Sequence, residues 1–162
     1  MRPEDQRDAG THYTVIPRVL VFLTRADEVL LLRGAPDKKL WAGKFNGLGG
    51  HIELDETPLQ AAKREVYEEA GLCVATLTLR AVIHVTLPQP PGVLFFVFVG
   101  DAPAGELCPS AEGMPVWVAR SEIATLPLVE DLPLLLPRVL EPGPVVFGHY
   151  TFAADGLHVA FT

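Results

Sequence analysis

Between Thr57 and Gly71 the chain carries a complete set of helix boundary signals, and no other stretch constrains the fold as tightly. Thr57 can cap, Pro58 stands at the first helical position, Gln60 completes a capping box, and Gly71 supplies a left-handed stop. The pattern predicts a helix from Pro58 to Ala70. At roughly 100° of rotation per residue, Leu59, Ala62, Val66 and Ala70 fall on one stripe, which predicts a core-facing side. Glu65, Glu68 and Glu69 are then expected to share the opposite side, spaced i, i+3 and i+4. Carboxylates so placed repel one another and weaken an isolated helix unless a cation lies among them. Mg²⁺, with Mn²⁺ as a substitute, suits such a set, because it takes hard oxygen ligands, keeps several waters and works beside phosphate. A solvated acidic face is the alternative. Arg64 can pair with Glu68 one turn on and hold it ionised.

The spacing around this helix narrows the choice. Gly50 is followed by five residues, Glu56, seven residues, and then Arg64-Glu65-Val66-Tyr67-Glu68-Glu69-Ala70-Gly71-Leu72. This matches every fixed position of the Nudix box, so the chain resembles the Nudix hydrolases. The resemblance implies an α+β fold, an α/β/α sandwich with a mixed central sheet, built as one domain over residues 1–162. It implies a loop, helix and loop that binds a divalent metal and hydrolyses nucleoside diphosphates linked to another group. By the same resemblance the Gly49 carbonyl joins Glu65, Glu68 and Glu69 as a metal ligand, Glu56 orients Arg64, and Gly50 and Gly71 are structural. Glu112, ahead of the strand Met114–Ala119, stands where the family often supplies one more carboxylate. His51 occupies a position the motif leaves free and is read as structural.

Outside the box the chain is similar to the MutT-like oxidised-purine nucleoside triphosphatases. The likeness rests on Trp41 to Gly50 (WAGKFNGLGG), Glu112 with Pro115-Val116-Trp117, Glu130-Asp131 before an apolar proline-bearing helix, and Phe147 to Phe152. It implies that Asn46, Glu130 and Asp131 hydrogen-bond a base edge. Two adjacent carboxylates do not easily both ionise, so one is expected to titrate high and to donate to a purine carbonyl. An acidic lead-in that favours the following helix dipole is the other reading of that pair. The mammalian member of the branch has two acids of one type here, a stacking tryptophan at the place of Leu128 and an aromatic at that of Leu40. The departures reduce the stacking surface. The implied reaction cleaves a nucleoside triphosphate, 8-oxo-dGTP for instance, to monophosphate and pyrophosphate. The rival substrates are a dinucleoside polyphosphate, ADP-ribose or a nucleotide sugar, and the rival class is a nucleotide-sensing module without turnover.

The remaining sequence supplies strands, and the rest of the candidate list. Tyr13–Thr24 and Val29–Leu32 read as strands, the second buried on both faces; Arg18 interrupts the first, either to reach an edge or to enter a pocket. Lys38, Lys39 and Lys44 lie in a loop that leads into the box, and glycines 47, 49 and 50 allow close approach to a ligand. Val74–Leu87 and Val93–Val99 form a hairpin about the Pro-rich turn at 88–92, with His84 inside its first strand as a pocket candidate. Short and longer helices are expected at Ser121–Thr125 and Val129–Leu140, the latter kinked by Pro137. Val145–Phe152 and Leu157–Phe161 flank an Asp155-Gly156 turn. Residues 1–12 are polar and expected to fray.

A net charge of −7 with pI near 5.1 argues against a nucleic-acid polymer as partner, while a metal can still reverse the local sign for a small nucleotide. No apolar run approaches the roughly 20 residues of a membrane span, so no membrane partner is expected. Two cysteines and an opening without an apolar signal region point to reduced thiols in the cytoplasm. Nothing in the sequence sets the oligomeric state.

Overall fold

The computed structural model describes residues 12–37 and 39–162, so Lys38 and the expected frayed start at 1–11 lie outside the described residues. Among the described residues eight strands form one mixed sheet: β1 (Val15–Arg25), β2 (Glu28–Gly34), β3 (Phe45–Asn46), β4 (Thr78–Thr86), β5 (Gly92–Asp101), β6 (Gly113–Ala119), β7 (Val146–Ala153) and β8 (Gly156–Phe161). Their order is β3-β2-β1-β5-β4-β7-β8, with β6 also paired to β2. β1 with β5 and β4 with β7 are parallel; the other pairs are antiparallel. Helix α1 (Pro58–Ala70) packs on one face and α2 (Leu132–Val139) on the other. The architecture is an α+β sandwich.

Strand periodicity divides the core. Val19, Val21 and Leu23 of β1, with Leu30 and Leu32 of β2, point to α1, where Ala61, Ala62, Val66 and Ala70 meet them. Leu20, Phe22, Val29 and Leu31 point the other way, to Leu132, Leu135, Leu136 and Val139 of α2. Both faces of Val29–Leu32 are therefore buried, as a continuous apolar run requires. No helix among the described residues is long and apolar enough to cross a membrane.

Helix α1 has the expected bounds. The Thr57 hydroxyl accepts from Gln60 N at 3.3 Å, Gln60 Oε1 accepts from Thr57 N at 2.8 Å, and Gly71 closes the helix at φ 73°. Its faces need correction. Leu59 is 40% exposed and Ala61 is buried in its stead, while Glu65 and Glu69 are buried at 9% and 3%. Glu68 alone of the three carboxylates faces outward. The wheel places Glu65 and Glu69 on a flank of the helix, and the turn at 47–50 folds over that flank, which no helical period can register.

Other boundaries move by a few residues. β1 begins at Val15 and β4 at Thr78, leaving Tyr13 and Val74 outside the strands. The expected helix at Ser121–Thr125 is a single 3₁₀ turn, Ile123–Thr125. α2 starts at Leu132, not Val129, with Pro133 in its first turn and Pro137 inside, and the Leu140 amide still bonds Leu136 O at 3.0 Å. Proline lacks the amide proton, so the first turn accepts Pro133 at no cost.

Candidate active site

The glycine-rich turn reaches α1 because β1 offers it an edge. Leu48 exchanges two backbone hydrogen bonds with Val21, at 2.7 and 3.1 Å, and Val19 N donates to Gly50 O at 2.9 Å. Gly49 has φ 151°, and a Cβ there would lie 2.2 Å from Val19 O. Only glycine lets the chain pass so close. A Cβ on Gly50 would sit 2.3 Å from Glu65 Oε1, so the space that Gly50 leaves is filled by that carboxylate. Glu69 Oε2 accepts from Gly49 N at 2.7 Å. Two glutamates from consecutive turns thus close on two consecutive glycines.

Arg64 organises the acids. Its Nη2 and Nε donate to the two oxygens of Glu56 at 2.7 and 3.2 Å, while Nη1 donates to Glu65 Oε1 at 2.9 Å and Glu68 Oε2 at 3.0 Å. Nη2 also reaches His51 O at 2.9 Å. A planar fork can serve acids in two directions as lysine cannot. The Arg64 hydrogen bond holds the Glu56 carboxyl below its ordinary value. Burial raises that of Glu65, although Arg64 opposes the shift. A carboxylate so placed gains from any further cation.

These residues line an open cleft of about 760 Å³. Arg18, Asn46, Gly49, Gly50, Arg64, Glu65, Glu68, Glu69 and Glu112 all border it, so most of the expected site residues are brought together. Arg18 takes the pocket alternative. It is half-buried and its Nη2 lies 3.0 Å from His51 Nε2, which casts that ring as acceptor. Burial lowers the pKa of His51, and Arg18 beside it lowers it further. His51 is therefore part of the cleft wall, a role its variable place in the box concealed. Asn46 Oδ1 accepts from Gly47 N at 2.8 Å.

Three of the expected substrate contacts are not among the residues that border this cleft. His84 is sandwiched between Tyr13, edge-on at 5.3 Å, and His149, stacked at 5.1 Å, because β4 and β7 pair in register there. Glu130 bonds the Lys44 ammonium, which holds its carboxyl below the ordinary value. Asp131 is pushed up by burial and sits beside the Tyr150 hydroxyl. The acids of this pair are thus split, one low and one high, but neither borders the cleft.

Among the described residues no three His, Cys, Asp or Glu side chains already converge as an ion cage. The donor set is nonetheless the right chemistry for a hard divalent ion that keeps waters and phosphate in its shell. It consists of oxygens only, two of its carboxylates are buried, and Glu65 is destabilised in its charged form.

The NUDIX domain family model matches residues 14–139. The oxidized purine nucleoside triphosphate hydrolase of Mus musculus is 31% identical over 134 residues, covering 82% of this chain and 84% of that protein. Its counterpart in Danio rerio is 33% identical over 123 residues, 75% of this chain and 78% of that protein. The NAD-capped RNA hydrolase NudC of Edwardsiella ictaluri is 32% identical over 117 residues, 71% of this chain and 43% of that protein. In three dimensions the mutator MutT protein of Bacillus halodurans superposes with a TM-score of 0.79 at 23% identity, over 91% of this chain and 97% of that one, a likeness of fold.

Proposed function

The chain belongs to the NUDIX family and is a hydrolase of that family; from that premise we propose that it cleaves a nucleoside triphosphate, with an oxidised purine such as 8-oxo-dGTP as the preferred base, to monophosphate and pyrophosphate. The observation that carries the reading is the closure of two buried carboxylates, Glu65 and Glu69, on Gly49 and Gly50 inside an open cleft. Similarity to triphosphatases over four fifths of both chains supports this substrate class above the rivals.

Glu65, Glu68, Glu69 and the Gly49 carbonyl would hold Mg²⁺, or Mn²⁺ in its place. Once bound, such an ion neutralises phosphate charge and lowers the pKa of a coordinated water. The protein's part is positional. Arg64 fixes Glu65 and Glu68, and Glu56 fixes Arg64. Glu69 holds the Gly49 amide, and so the turn beside it. Water attacks the β phosphorus, the bond from that phosphorus to the bridging oxygen breaks, and the monophosphate leaves with that oxygen. The proton of the water passes to a cleft carboxylate, either one on α1 or Glu112. Arg18 supplies positive charge to the phosphates and Asn46 a polar contact to the base.

Competitive hydrolysis of 8-oxo-dGTP against dGTP with Mg²⁺, in the wild type and in Asn46→Ala, tests the reading. A preference for the oxidised base that weakens in the variant supports it. Equal rates for both substrates, or turnover confined to ADP-ribose, a dinucleoside polyphosphate or a nucleotide sugar, would transfer the chain to another substrate class. Nucleotide binding without any hydrolysis would make it a sensing module.

A further inference from the structure

The far wall of the cleft is built by the loop between β2 and β3, and that loop is tied at its base. Gly34 N donates to Lys44 O, and Gly43 N to Gly34 O, both at 3.0 Å, while Lys44 N donates to Trp41 O at 3.0 Å. A Cβ on Gly34 would approach Trp41 O to 2.7 Å, so the loop packs as closely on its own stem as glycine permits. Within it Trp41 adopts φ 60°, a conformation seldom taken by a bulky side chain. Trp41 borders the cleft and is 40% exposed. Such an arrangement gives up both backbone comfort and apolar burial, which core packing does not explain.

Glu130 shows how the loop is held. Its carboxylate bonds the ammonium of Lys44, the residue whose amide closes the loop on Trp41 O. The segment before α2 is thereby latched to the loop. The same segment continues the tie through its backbone, since Phe45 N donates to Pro127 O at 2.9 Å and Val129 N to Phe45 O at 3.0 Å. An exposed indole on a loop closed at both ends is a ready-made surface.

We propose that Trp41 is the platform on which the heteroaromatic base of the substrate stacks, with Glu130 as a positioning residue that fixes the loop carrying the indole through Lys44. The proposal rests on the nucleotide reading above and deepens it. The carboxylates of the cleft take the phosphates and Trp41 takes the base, with Asn46 bordering the same cleft. Glu130 acts on the base only through Trp41.

The protein has two tryptophans, and the second, Trp117, is covered by the Arg25 guanidinium at 4.2 Å from its ring and does not border the cleft. Intrinsic fluorescence therefore reports the platform without turnover or metal. Titration with dGMP should quench emission saturably in the wild type, whereas 2-deoxyribose 5-phosphate should not. The quench should vanish in Trp41→Phe, which leaves only Trp117. In steady state Trp41→Ala should raise KM for dGTP about tenfold, with kcat within about threefold and most of the loss recovered by Trp41→Phe. Glu130→Ala should weaken dGMP binding about fivefold and Glu130→Gln, which keeps an acceptor for Lys44, less. A dGMP quench of full amplitude in Trp41→Phe, binding of dGMP without any quench, or an unchanged KM in Trp41→Ala would overturn the proposal. Saturable quenching in a protein that hydrolyses no triphosphate would retain the platform and reject the reaction.

Discussion

The two helices that cover the sheet are made from different materials. α1 is capped at both ends, faces the sheet with three alanines and a valine, and buries two glutamates. α2 has no side-chain cap, carries Pro133 and Pro137, and buries three leucines and a valine. α1 specifies its own boundaries and surrenders apolar burial to place charge; α2 depends on the sheet for its existence and returns a large apolar contact. One face of the molecule is therefore organised around a site and the other around stability, and the same kind of substitution should read out differently on each.

Removing a charge from α1 should give the largest effect. Glu69→Gln keeps an acceptor for the Gly49 amide, so hydrolysis should fall by about a thousandfold or more while the unfolding temperature barely changes. The converse holds for α2. Leu132 is fully buried, and Leu132→Ala should cost about 2–5 kcal/mol of stability by denaturant unfolding, with KM and kcat of the folded protein nearly unchanged. A Glu69→Gln protein that unfolds early, or a Leu132→Ala protein that is stable and inactive, would erase the distinction between the faces.

The α1 face can be probed more finely at Gly50. Its backbone has no need of glycine, and the atoms nearest to an added methyl are those of the Glu65 carboxylate, 2.3 Å away at Oε1. Gly50→Ala should therefore displace that carboxylate and lower kcat about a hundredfold, with only a small change in unfolding temperature.

The smallest effect is a pH dependence. Arg64 lowers the folded-state pKa of Glu56, so the stabilisation of that pair is fully present above the ordinary value near 4.5 and is lost as pH falls through the lowered one. Glu65 runs the opposite way. Its raised pKa makes the folded state take up a proton before the unfolded chain does, so acidification from neutrality relieves it first. Glu56→Gln should flatten the acid limb of unfolding temperature against pH, below about pH 4.5, relative to the wild type.

Legibility in the sequence followed the range of the interactions. The bounds of α1 are set by Thr57, Pro58, Gln60 and Gly71, all neighbours in the chain, and they read directly. The burial of Glu65 and Glu69 did not, because it depends on the turn at 47–50 pairing with Val19 and Val21 some thirty residues earlier. The true position of His84 follows from the parallel pairing of β4 with β7, fixed by contacts across more than sixty residues. Glu130 and Asp131 are adjacent in sequence yet differ in surroundings, Glu130 bonding Lys44 and Asp131 being pushed up by burial, since the chain turns between them into α2. Motif spacing identified the family; only the sheet could say which polar residues border the cleft.

The central claim is that the buried flank of α1 exists to hold a cation. Titration of the purified, metal-free protein with Mn²⁺, followed by the loss of the free-ion electron paramagnetic resonance signal, measures this without any substrate. The account predicts saturable binding in the wild type that is strongly weakened in Glu65→Gln and Glu69→Gln and little affected in Leu132→Ala. Equal Mn²⁺ affinity in the wild type and in both glutamate variants would contradict it.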